Sequence, residues 1–78
     1  MKISVIIPTL NEEFHIEKTL QSVTRQEGDY EVYVVDGGST DNTVAIAKRY
    51  ACVINSKRGR AIQMNAGANL CRGDVLLF

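Results

Sequence analysis

The sequence predicts an α/β fold in which a parallel sheet is joined by helices, and three observations predict it. Short β-branched runs, "ISVII", "YEVYVV", "CVIN" and "VLLF", recur along the chain. Between them lie amphipathic stretches long enough for helices. Glycine, aspartate or proline marks the junctions. Strands alternating with helices of this length build parallel sheets with helical crossovers, and such crossovers are right-handed. The expected spatial order is third, second, first and fourth strand. That order leaves a switch point between the first and fourth strands, beside which open α/β sheets bind ligands at their carboxyl ends.

The first strand, "ISVII", ends at Pro8, which fixes φ and lacks an N–H. Asn11 is suited to cap the following helix, with Glu12 and Glu13 at the positive end of its dipole. Ile16, Leu20 and Val23 fall at i, i+4 and i+7, one apolar face extending to about Gln26. Gly28 and Asp29 break it. "YEVYVV" is the second strand. Asp41 or Thr40 caps a second helix through about Tyr50, in which Val44, Ala47 and Ala51 share a face. "CVIN" forms a third strand and "SKRGR" a basic turn. "AIQMNAGANL" is an alanine-rich third helix able to approach a sheet closely. Gly73 and Asp74 stop it, and "VLLF" begins the fourth strand.

With 78 residues the chain is expected to be one partial domain, 1–78. A chain of this size buries only about 60–70% of its unfolded surface. Nine lysines and arginines balance nine acids, which gives no net field to attract nucleic acid or an anionic membrane. Phosphate chemistry must therefore rest on locally placed groups. Cys52 and Cys71 lack metal-ligand spacing and read as reduced, partly buried thiols of a cytosolic protein. "ISVIIPTL" is too short for a signal segment and Pro8 interrupts it. No run approaches a membrane span, so a cytoplasmic location is expected, with attachment at a membrane surface left open. The chain reaches Phe78 inside an apolar strand and reads as the amino-terminal part of something larger. An uncovered strand edge would favour a homo-oligomer.

Three stretches could carry chemistry. In "IIPTLNEE", Thr9 and Asn11 supply short polar side chains after Pro8. A capped strand-to-helix loop is the plain reading, and a ligand role gains from the nearness of Asp36 on the adjacent strand. In "VVDGGSTDNT", the Asp36 carboxylate can accept from an imide or amide N–H, as on the edge of a uracil-like base. Gly37 and Gly38 allow unusual dihedrals and close approach of a ligand. Asp36 is read as functional and Asp41 as structural.

In "SKRGRAIQMNAGA", Arg58 and Arg60 flank Gly59 at a helix start, an arrangement that suits a diphosphate. Alone, it reads as a solvated basic turn. Glycine inside a helix costs about 1 kcal/mol against alanine, so Gly67, and Asn65 beside it, call for close packing on a sheet or ligand. His15 reads as a surface or boundary residue. No metal cluster or nucleophile triad is evident in the sequence. A dinucleotide-binding fold would need GxGxxG where "PTLNEE" stands, and a sugar nucleotidyltransferase would need its glycine-rich loop there. A phosphoacceptor receiver's early acidic pair is missing too.

"SVIIPTLNEE", "VVDGGSTDNT", "GRAIQMNAGA" and "GDVLLF", in that order and spacing, resemble the amino-terminal half of family-two glycosyltransferases over essentially the whole chain. The resemblance implies a three-layer, Rossmann-like (GT-A) parallel sheet, incomplete at the C-terminus. It implies a nucleotide-diphospho-sugar donor, a UDP-sugar first, and inversion at the sugar carbon. For the intact enzyme it implies Mg²⁺ or Mn²⁺, with ligands beyond this chain. By the same resemblance Pro8, Thr9, Asn11 and Glu12 line the nucleoside pocket. Asp36 meets the base with Gly38 in the adjoining turn, and Arg60 lies near the diphosphate.

Two departures stand out. Many members carry a second acid where this chain has Gly37, and the family's metal-binding acids and catalytic base lie downstream. In an intact enzyme that base would take the acceptor hydroxyl's proton while the metal stabilises the departing diphosphate. This chain alone is expected to recognise the donor nucleoside and to be catalytically dead. The alternative is a non-catalytic nucleotide-binding or self-assembling module.

Overall fold

The computed structural model describes residues 3–25 and 30–70 and the backbone of 74–77. Strands β1 (Ile3–Thr9), β2 (Tyr30–Asp36), β3 (Cys52–Asn55) and β4 (Asp74–Leu77) alternate with helices α1 (Ile16–Thr24), α2 (Thr43–Ala47) and α3 (Arg60–Leu70). All pairings are parallel, and the sheet order is β3-β2-β1-β4. Thr9 pairs with Asp36, and Asp36 with Asn55. The "PTLNEE" and "DGGSTD" loops thus leave the sheet at the same level, beside the switch point between β1 and β4.

Strand side chains alternate between faces, and here they fill two layers. Val5, Ile7 and Val34 meet Ile16, Leu20 and Val23 of α1 and Ala47 of α2 in one core. Ile6 and Val35, on the opposite face, meet α3. Burying each such aliphatic side chain stabilises by about 1.5–3 kcal/mol. The i, i+4, i+7 stripe of α1 is therefore the buried one. Gly67 explains how α3 comes so near: a Cβ there would stand 2.6 Å from Ile6 Cγ2 and 2.9 Å from Val35 Cγ2. Asn65 is exposed, so packing on the sheet does not account for it.

Other expectations are corrected. α1 starts at Ile16 rather than after Asn11, because the Glu12 carbonyl accepts the His15 and Ile16 N–H groups in a turn. Glu17, not Glu12 or Glu13, occupies its first helical turn. α2 ends at Ala47, whose carbonyl accepts both the Tyr50 and Ala51 N–H groups as the chain turns into β3. Cys52 is exposed rather than partly buried, since it opens the edge strand β3. Gln26, Gly28, Asp29, Cys71, Gly73 and Phe78 lie outside the described residues. Among the described residues, no helix is long and apolar enough to cross a membrane.

Candidate functional site

The loops after β1 and β2 are stitched together. Asn11 N–H donates to Ser39 Oγ at 2.9 Å, and Thr40 N–H donates to Asn11 Oδ1 at 2.8 Å. Glu12 N–H donates to Thr43 Oγ1 at 2.7 Å and Glu13 N–H to Asp41 Oδ2 at 3.3 Å. Asn42 N–H returns a bond to Glu13 Oε2 at 3.3 Å. Asn11 sits at φ 51, a left-handed conformation that asparagine tolerates better than most residues. Its side chain is spent on this seam, so it caps no helix.

Neither Asp41 nor Thr40 is the cap residue expected for α2, because Asn42 directly precedes the helix and makes no side-chain cap bond. Asp41 is structural in another way, bracing the turn into the helix. Its Oδ1 accepts the Thr43 N–H at 2.9 Å and the Thr43 hydroxyl at 2.5 Å. Partial desolvation pushes this carboxyl up, but the bonds from Thr43, from the Glu13 N–H and from its own N–H outweigh it and hold it below the ordinary carboxylate value.

Asp36 is 2% exposed. Its Oδ2 accepts the Gly38 and Ser39 N–H groups at 3.0 and 2.8 Å, and its Oδ1 accepts the Thr9 hydroxyl at 3.3 Å and that of Ser39. Gly38 takes φ 100 in this turn, a conformation that favours glycine. The acceptor capacity of Asp36 is thus taken up by its own turn and by Thr9 on β1.

An open cleft of about 210 Å³ lies at the carboxyl end of β1. Pro8, Thr9, Leu10 and Glu12 line one side, and Arg58, Gly59, Arg60 and Gln63 the other. The fold thus brings Pro8, Thr9, Glu12 and Arg60 to one cleft. Asn11, Asp36 and Gly38 are not in its lining but belong to the adjoining seam. His15, exposed at the foot of α1, borders a separate groove with Pro8, Thr9 and Glu12.

Gln63 was missed by the sequence reading. It is buried in α3, and its Nε2 donates to the Thr9 and Val35 carbonyls, each at 2.8 Å. Its Oε1 accepts the Gly59 N–H at 3.2 Å. The available signal was its position one turn before Gly67. Residues four apart share a helix face, and a polar residue facing a sheet must find partners.

Among the described residues, no three His, Cys, Asp or Glu side chains cluster so as to hold a metal ion. The described residues therefore do not fit a metal centre.

The sequence model of "Glycosyl transferase family 2" matches residues 4–78. The chain belongs to that family. Relatives agree with this. The PGL/p-HBAD biosynthesis glycosyltransferase of Mycobacterium tuberculosis strain H37Ra is 40% identical, over 96% of this chain and 33% of the relative. Glycosyltransferase AglE of Haloferax volcanii is 36% identical, over 97% of this chain and 29% of AglE.

The crystal structure of S. aureus TarS superposes with a TM-score of 0.87 at 32% identity, covering all of this chain and 16% of TarS. Glucosyl-3-phosphoglycerate synthase from M. tuberculosis, solved with Mn²⁺, UDP and glucosyl-3-phosphoglycerate, gives 0.85 at 30% identity, covering 99% and 32%. The α/β sheet of this family 2 chain is thus of the GT-A kind. It spans about a third of the length of the M. tuberculosis curated relative.

Proposed function

We propose that this chain forms the donor-binding part of a glycosyltransferase that moves a sugar from a nucleotide-diphospho-sugar to an acceptor hydroxyl with inversion. The observation that carries this is the cleft in which the Pro8–Glu12 loop faces Arg58 and Arg60 at the start of α3. The arginines and the first amides of α3 suit a diphosphate, and the Pro8–Thr9 side suits the nucleoside. The cleft's volume of about 210 Å³ is below the roughly 300–1,000 Å³ of a full small-molecule site, so it grips part of the donor.

Asp36 contributes by shaping the turn beside the pocket rather than by meeting the base, because its oxygens are already occupied. UDP is the first nucleotide proposed, in line with the UDP-bound synthase. A mannosyltransferase from Pyrobaculum calidifontis was solved with GDP-Man and Mn²⁺, which makes GDP the competing arm. A divalent ion would accompany the donor, held by groups other than the described residues. None of the described residues is assigned as the base, and the chain alone is proposed to be inactive.

The test is an amide-resolved NMR titration of the chain with UDP, GDP and uridine, repeated for Arg60→Ala. UDP is expected to bind with shifts at Thr9 and Arg60. A charged hydrogen bond contributes about 1.5–3 kcal/mol, so Arg60→Ala is expected to weaken UDP at least about tenfold and leave uridine unchanged. Absence of nucleotide binding, or equal UDP binding by the variant, would overturn the proposal.

Self-association is the second reading, favoured by β3 and β4 each being paired on one side only within the described sheet. A monomer by light scattering at every concentration would remove it.

A further inference from the structure

We propose that Gln63 is a positioning residue that holds the two sides of the donor cleft in register. This rests on the donor-binding reading above. One buried amide reaches three separate pieces of chain. Its two N–H bonds end on Thr9 and Val35, 54 and 28 residues away at the carboxyl ends of β1 and β2. Its oxygen takes the N–H of Gly59, in the turn that presents Arg58 and Arg60. The Thr9 side and the arginine side of the cleft are therefore tied to the same planar group.

Two glycines accommodate it. A Cβ at Gly37 would stand 2.7 Å from Gln63 Oε1 and 2.9 Å from its Cδ, so any side chain after Asp36 would displace the amide. Gly59 sits at φ 139, a conformation that side chains oppose, with its N–H on the amide oxygen. Inside the protein such bonds are strong when complete, and an unmet partner is costly. The amide thus sets one spacing between the strand ends and the basic turn.

A ligand that touches both sides gains from that spacing, because its second contact is made at a fixed distance from the first. A ligand that touches one side gains nothing from it. This separates a positioning role from a merely structural one.

The experiment titrates the chain and its Gln63→Met variant, which keeps the bulk and loses the bonds, with UDP, uridine and pyrophosphate in turn. The variant is expected to bind UDP about tenfold or more weakly, the scale of a small misplacement, while uridine and pyrophosphate keep their affinities. Equal losses for all three ligands, or an unchanged UDP affinity, would overturn the inference. Should Gln63→Met not fold, Gly37→Ala displaces the amide without deleting it and is held to the same pattern. Failure of the unaltered chain to bind UDP would instead sink the donor reading, and this inference with it.

Discussion

The backbone N–H of Glu12 donates to Thr43 Oγ1 at 2.7 Å, joining the loop after β1 to the first residue of α2 across 31 residues of sequence. Thr43 is wholly buried, and its hydroxyl also bonds Asp41. Thr43→Val keeps the shape and leaves both groups without that partner. Glu12 is exposed, so water can replace the lost partner, and the Glu12 bond alone contributes about 0.5–1.5 kcal/mol. A destabilisation of at least that size is expected in urea unfolding. Thr43→Ser, which keeps the hydroxyl, is expected to lose less.

Asn11 serves the same seam from a left-handed conformation. Asn11→Ala loses the acceptor for the Thr40 N–H and adds a backbone that opposes φ 51. Asn11→Gly loses only the acceptor. Both variants are expected to be less stable than the native chain. The alanine variant should fall lower by about 1 kcal/mol, the smaller end of the left-handed penalty. Thermal unfolding of the three proteins side by side checks the order.

These two residues also mark how far local sequence carries. The β-branched runs and the Ile16, Leu20 and Val23 stripe are local patterns, and they placed the strands and the buried face of α1. Asn11 has the chemistry of a cap, and nothing near it says that Thr40, 29 residues on, takes its side chain instead. Asp36 reads from sequence as a ligand acceptor, and its place in a hydrogen-bonded turn was hidden for the same reason. Its donors come partly from Thr9 on a neighbouring strand. Gln63 was findable from Gly67, but its partners on β1 and β2 follow only from the register of the sheet.

Gly67→Ala sets helix propensity against packing. Alanine favours a helix over glycine by about 1 kcal/mol. At this site the new methyl would meet Ile6 Cγ2 at 2.6 Å and Val35 Cγ2 at 2.9 Å, and overpacking a core costs about 1–3 kcal/mol. Packing is expected to win, giving a net destabilisation in urea unfolding. A stabilised variant would mean that α3 can ride outward from the sheet.

Asp41 gives stability a dependence on pH whose sign can be worked out. Desolvation raises its carboxyl, and the bonds from Thr43, Glu13 and its own backbone lower it by more, so the folded value lies below the ordinary one. An aspartate in the unfolded chain titrates near about 3.9. Between the two values the unfolded state binds more protons, so stability falls as pH falls there. The contribution of Asp41 is complete above the unfolded value and disappears as pH drops through the folded one. In Asp41→Asn that contribution is expected to be absent. The variant should be less stable at neutral pH, and its unfolding midpoint should decline less steeply in acid. Urea unfolding of both proteins from about pH 7 to about pH 2 measures this. If the two slopes below about pH 4 are parallel, the seam does not draw its acid sensitivity from Asp41.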